Sequence, residues 1–390
     1  MHLSRDEEAT LAGERGPGMQ RAMELLVALG RIYDADSLIP ITSAHLSGVS
    51  YKTIGEGGLD FLEEMSKDAR VIVTTTLNPA GMDLSRWQEM GVEEAFAEKQ
   101  LSIISAYGRM GVTTNCTCTP YFTGNSPKTG EAVAWAESSA LSYVNSVLGA
   151  RTNREGGPGA LAAAIVGKTP HYGLHLDENR TPTVVIEAEV ENEITDFSLL
   201  GHIVGQRLGA AVPYFKGIRP DCNGLKTMAA AMAASGSVAV FHVEGVTPKA
   251  GECELRGLER LSLDHHDIRR AKESLTTGKD PDLIAVGCPH LSQMEMKALA
   301  SMLDGKRPRG DSPEVWFCTS RTVKTWCPKE TAILERFGKV VCDTCMIVAP
   351  IESRHRCTAT NSAKACSYLP SLCSQKVVCG SYAELMERIA

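Results

Sequence analysis

Residues 282–305, DLIAVGCPHLSQMEMKALASMLDG, set the fold class. Leu283 to Val286 form a short unbroken apolar run, the pattern of a strand buried on both faces. Ser292 and Glu295 then make a capping box, and a helical stretch follows until Gly305 stops it. The unit recurs. EVWFCTS (314–320) is a strand followed by a helical segment to ILERFG (333–338), KVVCDTC (339–345) is a third strand, and QKVVCG (375–380) leads into a second capping box, Ser381 to Glu384. Strands alternating with helices of this length imply parallel pairing through right-handed crossovers. Ligand sites in open parallel sheets lie outside the carboxyl ends of the strands. Cys288, Cys318, Cys342 or Cys345, and Cys379 all stand at such ends, so thiols distant in sequence are expected to converge on one edge.

Upstream, MQRAMELLVALGRIY (19–33) reads as an amphipathic helix and ARVIVTTTLNPAGM (69–82) as a β-branched buried strand ended by Asn78 and Pro79. TPTVVIEAEV (181–190) and GSVAVFHVEG (236–245) are further strand candidates, separated by Ala-rich helical sequence. The polar run LSLDHHDIRRAKESLTTGKDPD (261–282) suits a surface helix and a connection, and a soft boundary falls between 245 and 279. The expected organisation is α/β throughout: a first region over 1–185, a second over 186–278, and a C-terminal βαβ domain over 279–390.

The chain has 390 residues, 43% of them hydrophobic, enough for a large core in two or three domains. A net charge of −7 with no basic stripe argues against nucleic acid as the main partner. No apolar run reaches membrane-spanning length and the N-terminus is charged from its first turn, so a cytosolic protein is expected. Thirteen cysteines in a chain this long favour thiols, metal ligands or cluster ligands over a disulfide framework, and nine of them lie beyond residue 287.

Alone, Cys342 and Cys345 fit a zinc knuckle, a redox pair, a cluster ligand or two buried structural cysteines. GCPH (287–290) adds a thiol after a glycine turn. Cys288, one thiol from 342–345 and one from NCTCTPY (115–121) would give three thiolates, leaving one iron of a four-iron cluster open to substrate. In NSAKACSYLP (361–370), Asn361 reads as a helix N-cap and Lys364 falls in the first turn, a position that suits a lysine facing a bound anion. Arg151 and Arg154, just before Gly156 and Gly157, could fork onto a carboxylate or phosphate. His45, His175, His242 and His290 have no metal-ligand spacing and read as structural.

Taken together, SGVSYKTIG (47–55), TTLNPAGMDL (75–84), CTCTPY (116–121), AWAESSA (134–140), NSVLGARTNREGGPGALAAAIVGKTP (145–170), GLHLDENR (173–180), GCPH and VVCDTC (340–345) resemble the large subunit of the aconitase X family along essentially the whole chain. The resemblance implies a hydro-lyase with three aconitase-like α/β/α domains, mainly parallel sheets, and a 4Fe-4S iron–sulfur cluster with one open iron. It also implies a small swivel-domain subunit as partner, which would carry the serine base. The family acts on (R)-5-phosphomevalonate, dehydrated to trans-anhydromevalonate 5-phosphate in the archaeal mevalonate pathway, or on cis-3-hydroxy-L-proline. The glycine-rich 152–170 loop is closer to the phosphomevalonate enzymes.

The same resemblance implies Cys118, Cys288 and Cys345 as cluster ligands. Matching the strand GKVV to its aconitase counterpart puts Cys345 on the first cysteine of the aconitase pair and Val348 on the second, while Cys342 matches neither. Gly48, Val49, Ser50, Asn78, Pro79, Glu137, Ser138 and Lys364 are implied to line the substrate site, and Arg151 and Arg154 are added as charge-stabilising candidates. Leu291 departs from the cysteine expected after GCPH. A reading from another class, an iron–sulfur or zinc redox or regulatory module, makes no demand for turnover.

Overall fold

The computed structural model describes residues 1–191 and 193–390. Three parallel sheets follow one another along the chain. The first contains β1 (Ser43–Leu46), β2 (Thr74–Leu77), β3 (Thr113–Cys116) and β4 (Ala134–Trp135) in the order β3-β2-β1-β4. The second contains β5 (Val184–Ala188), β6 (Pro213–Lys216), β7 (His242–Val243) and β8 (Glu259–Leu263) in the order β8-β5-β6-β7. The third has β9 (Leu283–Leu291), β10 (Glu314–Thr319), β11 (Lys339–Cys342), β12 (Cys357–Thr360) and β13 (Lys376–Cys379) in the order β11-β10-β9-β12-β13. Two further short strands, Leu38–Pro40 and Lys168–Pro170, pair antiparallel.

Both capping boxes read from the sequence form, at Ser292 with Glu295 and at Ser381 with Glu384. Three local readings are corrected. The polar stretch before residue 264 contains strand β8, which pairs with β5 from Glu259 opposite Val184 to Leu263 opposite Ala188 and so completes the second sheet. As an edge strand it is exposed at most of its positions, and its sequence therefore lacks an apolar run. Strand β12 was also unannounced, because CTAT is too short and too small to stand out. The helix Ala363–Cys373 is capped by Ser362, whose hydroxyl accepts from the Ala365 amide, rather than by Asn361.

Small residues let neighbouring elements approach closely within each region. A Cβ added to Gly236 would sit 1.8 Å from the Gly205 carbonyl oxygen, so the helices Ile194–Leu208 and Cys222–Gly236 cross at glycine contacts. The second of these helices is buried along most of its length. At the carboxyl end of β9, Gly287 has φ +100°, and a Cβ there would lie 2.1 Å from the Cys318 carbonyl oxygen. Only glycine fits. The β9–β10 register breaks between Val286 and Leu291, and Cys288 and His290 stand in that break. No helix among the described residues is long and apolar enough to cross a membrane.

Candidate active site

Three buried thiols meet where the first and third regions face each other. Cys118 follows β3, Cys288 sits in the irregular end of β9, and Cys345 follows β11; each is 6% exposed. Every pair among them is close enough for the charge of one to oppose ionisation of another. Burial pushes Cys118 and Cys345 up to about 12 and Cys288 to about 11, with the Lys364 ammonium pulling all three back down.

Each sulfur also has its own donor. The His290 amide donates to Cys118 Sγ at 3.2 Å. The Ser362 hydroxyl faces Cys288, and the Ile347 and Val348 amides face Cys345. Such donors hold a thiolate in place and tune what it binds. A fourth buried thiol, Cys318, packs against the same three but lacks the favourable lysine. Among the described residues no three His, Cys, Asp or Glu side chains are arranged around a single metal ion.

Cys342 belongs elsewhere. Its amide donates to Asp83 Oδ2 at 2.9 Å, and Asp343 and Asp83 add to burial in pushing its thiol up to about 12. The turn beyond it is clamped across the regions: Arg321 pairs with both Asp83 and Asp343, and the Ala80 amide donates to the Asp343 carbonyl at 2.7 Å. This clamp fixes the approach of Cys345 to the Asn78–Pro79 turn.

Beside the thiols lies a buried charge pair. Lys364 Nζ donates to Glu137 Oε1 at 2.5 Å and to Ser139 Oγ at 3.3 Å. Asn78 Nδ2 donates to Glu137 Oε2 at 2.8 Å. Burial pulls the Glu137 pKa upward, but Lys364 and the Ser139 donors hold it down at about 2. The Glu137 carboxylate, with the Cys288 and Cys118 thiols, outweighs burial at Lys364 and keeps its ammonium well above the usual lysine range. Lysine in the first helical turn thus has an anion to face, the Glu137 carboxylate. Ser138 begins the short helix Ser138–Tyr143 that Glu137 caps, and Pro79 is buried next to Asn78.

The Gly48–Ser50 segment closes the other side. Gly48 has φ +79°, the Val49 carbonyl accepts from Gln100 Nε2 at 2.8 Å, and the Ser50 hydroxyl donates to the Val348 carbonyl at 2.9 Å, just past Cys345. Having spent its hydroxyl there, Ser50 leaves the helix Tyr51–Ser66 without a side-chain cap. The helix Gly157–Val166 is likewise uncapped, and a Cβ on Gly157 would lie 2.7 Å from the Ser47 carbonyl oxygen. The Tyr51 amide at the start of the first of these helices donates instead to Gln100 Oε1 at 3.0 Å.

Arg151 and Arg154 are not brought to this group. Arg151 donates to the His175 carbonyl at 2.7 Å and pairs with Asp177, while Arg154 is exposed and points its guanidinium at the Ala233 carbonyl. His45, structural on the sequence reading, is fully buried, with the Asn78 side chain as its hydrogen-bonding neighbour and Glu137 close by. Its Nδ1 meets Thr76 Oγ1 at 2.9 Å, and burial lowers its pKa to about 4, so the ring is neutral.

Comparison with known proteins agrees with this architecture. Models of the aconitase X first, second and third domains match residues 1–178, 182–273 and 281–390. A phosphomevalonate dehydratase large subunit of Methanocaldococcus jannaschii is 49% identical over 99% of this chain and 100% of its own length. One from Thermococcus kodakarensis is 47% identical over 95% of each. A cis-3-hydroxy-L-proline dehydratase of Pseudomonas aeruginosa is 36% identical, over 95% of this chain and 67% of its own. The crystal structure of Thermococcus kodakaraensis aconitase X in its holo-form superposes with a TM-score of 0.93 at 45% identity, covering all of both chains. The chain belongs to the aconitase X family.

Proposed function

We propose that this chain is the large subunit of a hydro-lyase that dehydrates (R)-5-phosphomevalonate to trans-anhydromevalonate 5-phosphate. The observation that carries the reading is the convergence of Cys118, Cys288 and Cys345 on the Lys364–Glu137 pair, in a chain 46–49% identical over nearly its whole length to phosphomevalonate dehydratase large subunits. Identity to the hydroxyproline dehydratases is lower, at 35–36%.

The donor set fits an iron–sulfur cluster. Three soft sulfurs, each with its own hydrogen-bond donor and a shared cation, suit thiolates bound to separate irons, whereas a single ion would need all its donors around one point. Bound there, a 4Fe-4S cluster with one open iron supplies Lewis-acid activation of the tertiary hydroxyl.

The chain's own residues do the rest of the positioning. Glu137 stays ionised and holds the Lys364 ammonium in place. Glu137 and Ser139 occupy two of the three ammonium hydrogens, which leaves the third for an anionic oxygen of the substrate. Proton loss next to the substrate carboxylate builds negative charge on it, and a fixed, desolvated cation is worth more against that charge than one in water. The base itself is assigned to a small swivel-domain partner subunit.

The test is turnover by the two-subunit enzyme assembled anaerobically. Phosphomevalonate should be dehydrated with kcat/KM at least ~100-fold above that for cis-3-hydroxy-L-proline, a ratio ordinary for a site that loses a buried charged contact. Turnover of hydroxyproline alone would reverse the assignment. A chain that holds only zinc and dehydrates neither would point instead to a binding module.

A further inference from the structure

One buried side chain touches all three cysteine-bearing segments. His290 is fully buried, two residues beyond Cys288 in the irregular end of β9. Its amide donates to Cys118 Sγ at 3.2 Å. Its ring Nε2 lies 2.9 Å from the Thr344 carbonyl oxygen, the residue before Cys345. A carbonyl can only accept, so Nε2 carries the proton, and Nδ1 is left to accept from the Thr117 hydroxyl at 3.0 Å, the residue before Cys118. Thr117 Oγ1 in turn accepts from the Thr119 amide at 3.2 Å, which fixes the direction of the chain of bonds.

The hub is itself anchored. Lys226, from the helix Cys222–Gly236 of the second region, donates to the His290 carbonyl at 3.0 Å and is paired with Glu295. Glu295 also accepts from the Ser292 amide at 2.9 Å and from the Tyr382 hydroxyl at 3.1 Å. Lys226, Glu295, Thr117 and Thr344 are all buried. A charged pair buried to this degree, satisfied at each end, is costly to build for a backbone carbonyl that had no particular place to be.

We infer that His290 is a positioning residue that holds Cys118, Cys288 and Cys345 in one register before any metal arrives, with Thr117 and Lys226 as its supports. The inference rests on the reading of those three thiols as cluster ligands. Its role differs from that of a ligand: it touches the Cys118 sulfur through its backbone, the residues before Cys118 and Cys345 through its ring, and Cys288 through the chain itself. Loss of an outer-shell partner of this kind typically lowers metal affinity by ~10–100-fold.

The decisive measurement is iron release from the anaerobically reconstituted chain to a chelator, followed by absorbance, together with iron and sulfide content, the cluster's electron paramagnetic resonance spectrum and the melting temperature. His290→Ala should release iron at least ~10-fold faster than wild type with an altered spectrum. Thr117→Val, nearly isosteric, should accelerate release severalfold, and it decides the matter alone if the alanine variant does not fold. His290→Gln, which keeps a donor for the Thr344 carbonyl, should fall between wild type and alanine. Release rates and spectra within twofold of wild type in the folded variants, even with a lowered melting temperature, would overturn the inference while leaving the ligand reading intact. Absence of iron and sulfide from wild type as well would overturn both.

Discussion

Removing the carboxylate of Glu137 leaves the Lys364 ammonium buried without a counter-charge. Breaking a buried pair from one side costs about 3–5 kcal/mol, whereas replacing both partners by apolar or neutral groups is far less harmful. Glu137→Gln should therefore destabilise the chain in urea by about that amount, and Glu137→Gln with Lys364→Met should recover part of it. A double variant weaker than the single one would show the pair is not the unit described. The pair also sets a pH signature. Glu137 has its folded pKa lowered to about 2, so its contribution to stability is fully present above its ordinary value near 4.5 and is lost as pH falls toward 2. Unfolding free energy measured between pH 5 and 2.5 should fall less steeply in the double variant than in wild type, and equal slopes would remove Glu137 from the account.

At the level of elements, the carboxyl end of β9 carries the strain that makes the site. Gly287→Ala would force a side chain at φ +100° against the Cys318 carbonyl oxygen, and a cost of ~3 kcal/mol or more is expected, read as a loss of melting temperature. The two capping boxes make a controlled comparison. Ser381→Ala removes an exposed cap worth ~1 kcal/mol. Ser292→Ala removes a buried cap and also the bond its hydroxyl donates to Asn223 Oδ1 at 2.8 Å, so it should cost about 1 kcal/mol more. Equal losses in the two variants would mean that the link from β9 to the second region contributes nothing.

These same elements mark how far the sequence could be read. Helices with capping boxes and strands with apolar runs, such as Leu283–Val286, were legible because local chemistry alone defines them. Strand β8 was not, since an exposed edge strand carries no apolar signature and is defined only by its pairing with β5. At the site, the candidate thiols come from strand ends and family resemblance, and the resemblance sets Cys342, which turns to Asp83, apart from Cys345. Arg151 and Arg154 come from a glycine-rich loop, and the groups they contact, Asp177, the His175 carbonyl and the Ala233 carbonyl, are visible only in three dimensions. The contacts of His290 are hidden in the sequence for the same reason, since its ring partner Thr117 lies 173 positions away.

For the molecule as a whole, three regions converge on one buried place, and none carries the complete group. The first region supplies Cys118, Glu137, Asn78 and the Gly48–Ser50 turn; the third supplies Cys288, Cys345 and Lys364; the second braces the end of β9 through Lys226. The Asp83–Arg321–Asp343 clamp ties the first and third together at the turn that carries Cys345. On the proposed function the proton acceptor comes from a small partner subunit, so the large subunit alone should bind substrate but show no turnover above background, and addition of that partner should restore it; turnover by the large subunit alone would place the base within this chain. The most direct test of the whole arrangement is the iron and sulfide content per chain, measured after anaerobic reconstitution, of Cys118→Ser, Cys288→Ser, Cys345→Ser and Cys342→Ser. The first three should lose most of the cluster while Cys342→Ser keeps the wild-type content; full content in the first three, or its loss in Cys342→Ser, would contradict the account.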